Sequence, residues 1–295
     1  MGMLPGFLAK KPYIPEYDLA GIIVDANGTS LKEGDQVYGW IPATVPVKPA
    51  SGTLAQYASV AADDLVPLPA NITPVQASGI TVVALTAYQV LFDVGGLQPK
   101  QSVFINGGST AVGSFAIQIA KATGCKVTAS ASAKNEEYVR SLGADEFVDY
   151  TKAPLHKTLA ANPPTPKFDV IFEAAGLMDT SLYTHSEVYL APGGKFISVG
   201  PQPKGFDVVG ILKIAWKIFL QPRFLGGTKR SWKVHQVHPK RADLEQIAKY
   251  VAEGKVKPLV DSVYAFEDAL KAYERLLTGR ATGKVVIKVD PGVVE

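Results

Sequence analysis

Between residues 101 and 200 the chain alternates β-type runs with helix-spaced runs. "SVFIN" is followed by "GSFAIQIAKATG", "KVTASA" by "KNEEYVRSLGA", then come "EFVDY", "FDVIFEAAG", a short helix and "KFISVG". Strands separated by helices cannot close as hairpins. They lie parallel in one sheet, with the helices crossing over and covering both faces. The alternation therefore predicts an α/β, doubly wound domain. At 295 residues, 47% hydrophobic and 19% charged, the chain has the apolar content such a core requires.

The first hundred residues have another texture. "AGIIVDANGTSLKEGDQVYGW" breaks short β-type runs with turns, Asn27-Gly28 being a tight-turn dipeptide, and "GTLAQYASV" continues the style. Pro42, Pro46, Pro49, Pro67, Pro69 and Pro74 punctuate the region, which predicts short antiparallel strands with irregular loops. Residues 73–92 read as one helix, capped by Thr73 with Pro74 at its first position. Near the end, "ADLEQIAKYVAEGK" and "FEDALKAYERLLTG" are amphipathic helices and "KVVIKV" is a last strand.

The stretch "INGGSTAVGSFAIQIAK" joins a strand to a helix through small residues: Gly107, Gly108, Ser109, Thr110, Ala111, Val112 and Gly113. Such a turn lets a pyrophosphate approach the backbone, where the free N–H groups of the next helix receive it. GxGxxG itself is not matched, so the turn alone is a weak signal. The following strand end, "TASASAKN", has Ser130, Ser132, Lys134 and Asn135 where NAD sites place an acid. Hydroxyls and an ammonium suit a 2′-phosphate, which favours NADPH. The rival reading takes Gly107-x-Ser109-x-Ala111 as a nucleophile elbow, with Asp169 or Asp207 and His235 or His238 completing a hydrolase. Neither the Thr110-Ala111 pair nor the Ser/Lys strand end fits that motif.

Other classes are excluded or weakened. The net charge of +3 has no concentrated basic run, against a nucleic-acid binder. One cysteine, Cys125, forms no internal disulfide and rules out a four-cysteine zinc site; it reads as a small apolar filler. No metal site is expected from the four histidines: His156 and His185 read as standing alone, and His235 and His238 as exposed polar residues. "VVGILKIAWKIFL" (208–220) is too short to span a bilayer and carries Lys213 and Lys217, so a buried helix, subunit contact or pocket lid is expected. "MGMLPGFLAK" has no secretory pattern, and a cytoplasmic protein is expected.

"PYIPEYDLAG", "LKEGDQVYG", "GTLAQYASV", "LTAYQVLF", "INGGSTAVGSFAIQIAK", "VRSLGADEFVDY" and "TGRATGKVVIKV" occur in an order that resembles the zinc-free quinone oxidoreductase and enoyl reductase branch of the medium-chain dehydrogenase/reductase superfamily. The GGST turn looks like fungal members. The resemblance implies a Rossmann NADP-binding domain (86–234) and a GroES-like substrate domain (1–85), to which the chain returns at 235–295. It implies NADPH as cofactor, with Tyr150 beside the 2′-phosphate, Thr86 near the nicotinamide, and Gly176, Val199 and Gly200 flanking that ring. It also implies a homodimer.

Zinc-dependent relatives carry Gly-His-Glu where this chain reads Glu16-Tyr17-Asp18, so the catalytic-zinc histidine is missing. Zinc-free members have Gly in place of Glu16. The family's opening strands lie upstream of the first residue here, which implies an incomplete substrate domain. The expected activity is reduction of a quinone or a carbonyl-activated C=C bond by hydride from NADPH, with Tyr17, Tyr57 or Tyr88 as candidate proton donors and Tyr57 and Thr86 as catalytic candidates. The alternatives are an NADPH-binding sensor or partner protein with little turnover, and, remotely, a hydrolase using Ser109.

Overall fold

The computed structural model describes residues 14–42, 51–201, 208–220 and 227–293. In chain order the strands and helices are β1 (Asp18–Ile22), β2 (Gln36–Trp40), β3 (Leu65–Pro67), α1 (Pro74–Ala77), α2 (Thr81–Tyr88), β4 (Ser102–Asn106), α3 (Ala111–Ala122), β5 (Lys126–Ala131), α4 (Glu136–Ser141), β6 (Glu146–Asp149), α5 (Leu155–Ala161), β7 (Phe168–Glu173), α6 (Ser181–Thr184), β8 (Leu190–Ser198), α7 (Val208–Ala215), β9 (Ser231–Val234), α8 (Arg241–Ala252), β10 (Val260–Ala265), α9 (Ala269–Leu277) and β11 (Lys284–Lys288). Two compact units result, divided between Leu85 and Thr86 and again between Gln236 and Val237.

In the unit of residues 86–236, six strands form one parallel sheet in the order β6-β5-β4-β7-β8-β9. Counted along the chain this is 3-2-1-4-5-6, the doubly wound Rossmann order. All five residues of β4 are buried, as a central parallel strand covered on both faces requires. Phe104, Phe168, Ile171, Tyr183, Tyr189, Leu190, Phe196 and Trp232 pack into one cluster. The connections from β4 and β7 leave in opposite directions, which opens a crevice outside the carboxyl ends of these two strands.

The other unit holds an antiparallel sheet, β1-β2-β3, and a parallel pair, β10-β11. Asn27 and Gly28 both take positive φ, 44° and 73°, in the turn between β1 and β2. A parallel pair needs a crossover, and α9 supplies it.

The structure corrects several expectations. The helix expected over 73–92 is two: α1 begins with the Thr73–Gln76 capping box and Pro74, the chain breaks at 78–80, and α2 then runs into a π-helical turn, Gln89–Val94. "GTLAQYASV" forms no strand. β9 and β10 were not expected. Of the readings of the 208–220 segment, a wholly buried helix is not what forms: Ile214 is buried and Ile218 packs on the core cluster, but Leu212 and Trp216 are exposed. Residues 1–13, Pro46, Pro49 and Asp207 lie outside the described residues. No helix among the described residues is long and apolar enough to cross a membrane.

Candidate active site

The crevice is built at the ends of β5, β4, β7 and β8. Gly107 leaves β4 at φ 84°, and a Cβ there would stand 3.0 Å from the Ala175 Cβ. Thr110 caps α3: its hydroxyl accepts the Gly113 N–H at 3.0 Å and donates to the Gly107 carbonyl at 2.8 Å. Its own N–H also goes to the Gly107 carbonyl. Thr110 is therefore a brace of the turn rather than a side chain facing the crevice. Gly113 lets the helix start pass directly over Gly107, since a Cβ there would stand 2.2 Å from the Gly107 oxygen. Among the described residues, the N–H groups of Ser109, Ala111 and Val112 have no protein partner. That is a cradle of outward N–H dipoles at a helix start, and it fits a diphosphate.

Ser130 is a correction. It is fully buried, its hydroxyl donating to Asn106 Oδ1 at 2.6 Å and accepting from the Gly107 N–H at 3.3 Å. It braces the turn from beneath and offers no hydroxyl to a ligand. The next positions do face out: Ser132 is half-buried, Lys134 exposed, and Tyr150, whose N–H is bonded to the Ala131 carbonyl, is 52% exposed. Asp149, next to Tyr150, is held below the usual carboxylate range by the Thr151 hydroxyl and N–H and by the Ala133 N–H.

Sequence reasoning missed Asn106 and Glu173, which lie on neighbouring strands 67 residues apart. Glu173 Oε1 accepts from Asn106 Nδ2 at 3.2 Å and the Ala175 N–H at 2.8 Å, and Oε2 from the Leu177 N–H at 3.2 Å. Burial pushes this carboxyl up from its ordinary range, opposed by these donors and the Gly176 N–H. Each of these partners donates, so both carboxyl oxygens act as acceptors. Gly176 turns at φ 68° and Gly200 at φ 88°. The Val199 N–H is bonded to the Glu173 carbonyl, and the Gly200 N–H to Ser198 Oγ.

Thr86 is buried in α2, whereas Tyr57 stands 74% exposed on the other unit. His235 is buried against Gln89, Nε2 to Oε1 at 3.1 Å, not exposed. His156 and His185 stack at 4.6 Å rather than standing alone. Ser109 hydrogen-bonds no imidazole, and Asp169 is spent on Ser102 and Gln101 at the amino-terminal ends of β7 and β4, the opposite end of these strands from Ser109. A hydrolase triad is not assembled from these residues. Asp18 accepts the Val82 N–H at 2.8 Å and pairs with Lys284 at 2.9 Å, which engages both of its oxygens.

A family model described as zinc-binding dehydrogenase matches residues 142–287. The trans-enoyl reductase pgmF of Aspergillus terreus is 35% identical over 96% of this chain and 79% of that protein. The chain belongs to the medium-chain dehydrogenase/reductase superfamily. Within it, the chain falls in the quinone oxidoreductase and enoyl reductase branch, and it is an oxidoreductase. A chloroplast envelope quinone oxidoreductase homolog of Arabidopsis thaliana is 31% identical over 97% of this chain and 83% of its own. The quinone oxidoreductase from Coxiella burnetii shares the fold, with TM-score 0.72 and 24% identity over 93% of this chain and 78% of that one. Enzymes of this superfamily bind a nicotinamide cofactor.

Proposed function

We propose that this medium-chain reductase uses NADPH to reduce quinones or carbonyl-activated C=C bonds without a catalytic metal. The observation that carries the reading is the outward end of β5. Ser132, Lys134 and Tyr150 lie there together, while the carboxylate of Asp149 is already occupied by its own loop. A 2′-phosphate meets an ammonium and hydroxyl donors, a charge-compensated match.

The turn at Gly107–Gly113 would hold the diphosphate, and Gly176, Val199 and Gly200 would flank the nicotinamide. When bound, the reduced nicotinamide supplies the hydride. What the protein adds is positioning and hydrogen-bond donors for the oxygen on which charge develops. Tyr17 takes the place of the zinc-binding histidine, and Asp18 is committed to Val82 and Lys284, which supports the metal-free reading.

Fluorescence titration with NADPH and NADH tests the cofactor. Lys134→Ala should weaken NADPH about tenfold and leave NADH unchanged. Equal affinities in the wild-type protein would overturn the 2′-phosphate reading. Steady-state assays of the NADPH-saturated protein against quinones and enones test the reaction, and no consumption with any of them would sink it.

A further inference from the structure

Glu173 touches neither end of the crevice alone. Its carboxylate gathers the N–H groups of Ala175 and Leu177 from the loop after β7, and the side-chain amide of Asn106 from the end of β4. Asn106 in turn accepts the Ser130 hydroxyl, which receives the Gly107 N–H, while the Ser130 carbonyl receives the Gly108 N–H at 2.7 Å. The Thr110 hydroxyl completes a second link, lying 2.8 Å from the Gly107 carbonyl and 3.3 Å from that of Ala174. One unbroken set of hydrogen bonds thus runs from the diphosphate turn to the loop at Gly176.

From this connection we infer that Glu173 is a positioning residue that fixes the spacing of the two loops holding opposite halves of the cofactor. The inference rests on the nucleotide reading of the crevice. The backbone N–H groups of Ala175 and Leu177 converge on the Glu173 carboxyl as they would on a bound ligand in a nest, and here the occupant is the protein's own side chain. Removing it leaves buried donors unpaired and frees the 174–177 loop to move relative to Gly107. A rigid cofactor gains affinity when both of its halves meet pre-set partners, so the loss should appear only in ligands that span both loops.

Glu173→Gln tests this with minimal change of volume. An amide has one acceptor oxygen, so its NH2 group faces an N–H however it is turned. Calorimetric titration compares NADPH, which spans both loops, with adenosine 2′-monophosphate, which reaches only the end of β5. In Glu173→Gln, NADPH affinity should fall about tenfold to a hundredfold, with the adenosine 2′-monophosphate affinity held within about twofold. Ser130→Ala, which removes a single hydroxyl from the same connection, should show a smaller loss of the same kind. Equal losses for both ligands would reduce Glu173 to a general structural role, and unchanged NADPH affinity in either folded variant would overturn the inference. A wild-type protein that fails to bind NADPH would instead count against the cofactor reading.

Discussion

At the scale of single residues, Gly113 and Glu16 are two of the backbone positions under strict demands. Any side chain at Gly113 strikes the Gly107 carbonyl 2.2 Å away. Gly113→Ala should push the start of α3 off the turn, costing about 1–3 kcal/mol of stability by overpacking. Urea unfolding measures the first effect, and NADPH titration should show weakened binding along with it. Glu16 holds φ 70° without being glycine, and the Tyr273 hydroxyl donates to its carboxylate. Left-handed backbone costs a residue with a Cβ roughly 1–2 kcal/mol, and a hydrogen bond to a charged group returns a similar amount. Glu16→Gly removes both and should change stability by less than about 1 kcal/mol. Glu16→Ala keeps the strain and loses the bond, so it should be the more destabilising, by about 2 kcal/mol. Thermal unfolding of the pair decides; an alanine variant as stable as the glycine variant would show that no strain is held there.

Elements were legible where their signal is local. β4 and β7 read as strands because their apolar centres, Val103–Ile105 and Val170–Phe172, are covered on both faces of a parallel sheet, and both lie where the pattern put them. The Thr73–Pro74 start of α1 was legible for the same reason, since a cap is chemistry between near neighbours. β9 was not legible: of "SWKV" only Trp232 is buried, so an edge strand held by pairing with β8 leaves no hydrophobic pattern. The break between α1 and α2 was hidden as well, because apolar residues continue through it at helical spacing. A cap also makes the element-scale prediction. Thr110→Ala deprives α3 of its N-cap and the turn of its brace, costing about 1–2 kcal/mol, and Thr110→Ser should recover most of it. Denaturant midpoints of the three proteins test the pair. If serine fares no better than alanine, the methyl group rather than the hydroxyl matters.

Across the whole molecule, contacts follow strand order rather than sequence distance, and that is why the Glu173–Asn106–Ser130 connection could not be read in advance while the contiguous 107–113 turn could. The same rule makes the other unit sensitive to acid. Asp261 on β10, Arg275 on α9 and the Thr282 N–H ahead of β11 meet in one clasp: Arg275 binds both carboxylate oxygens, at 2.7 and 2.8 Å, and Thr282 donates at 2.9 Å. Arg275, aided by Thr282 and Ser262, holds the Asp261 carboxyl down at about 2 against an ordinary 3.8. The folded pKa lies below the unfolded one, so this group's stabilisation is complete above about pH 4 and fades as pH falls through 2. The shift corresponds to roughly 2 kcal/mol, since the carboxylate is almost fully shielded from solvent. Arg275→Ala should therefore destabilise the protein at pH 7, with the gap narrowing steadily below pH 4. Urea unfolding of both proteins at neutral pH and near pH 2.5 reads this directly. A gap of constant size would mean that Arg275 acts by packing on β10 and β11, and that the charge of Asp261 is not what closes the clasp.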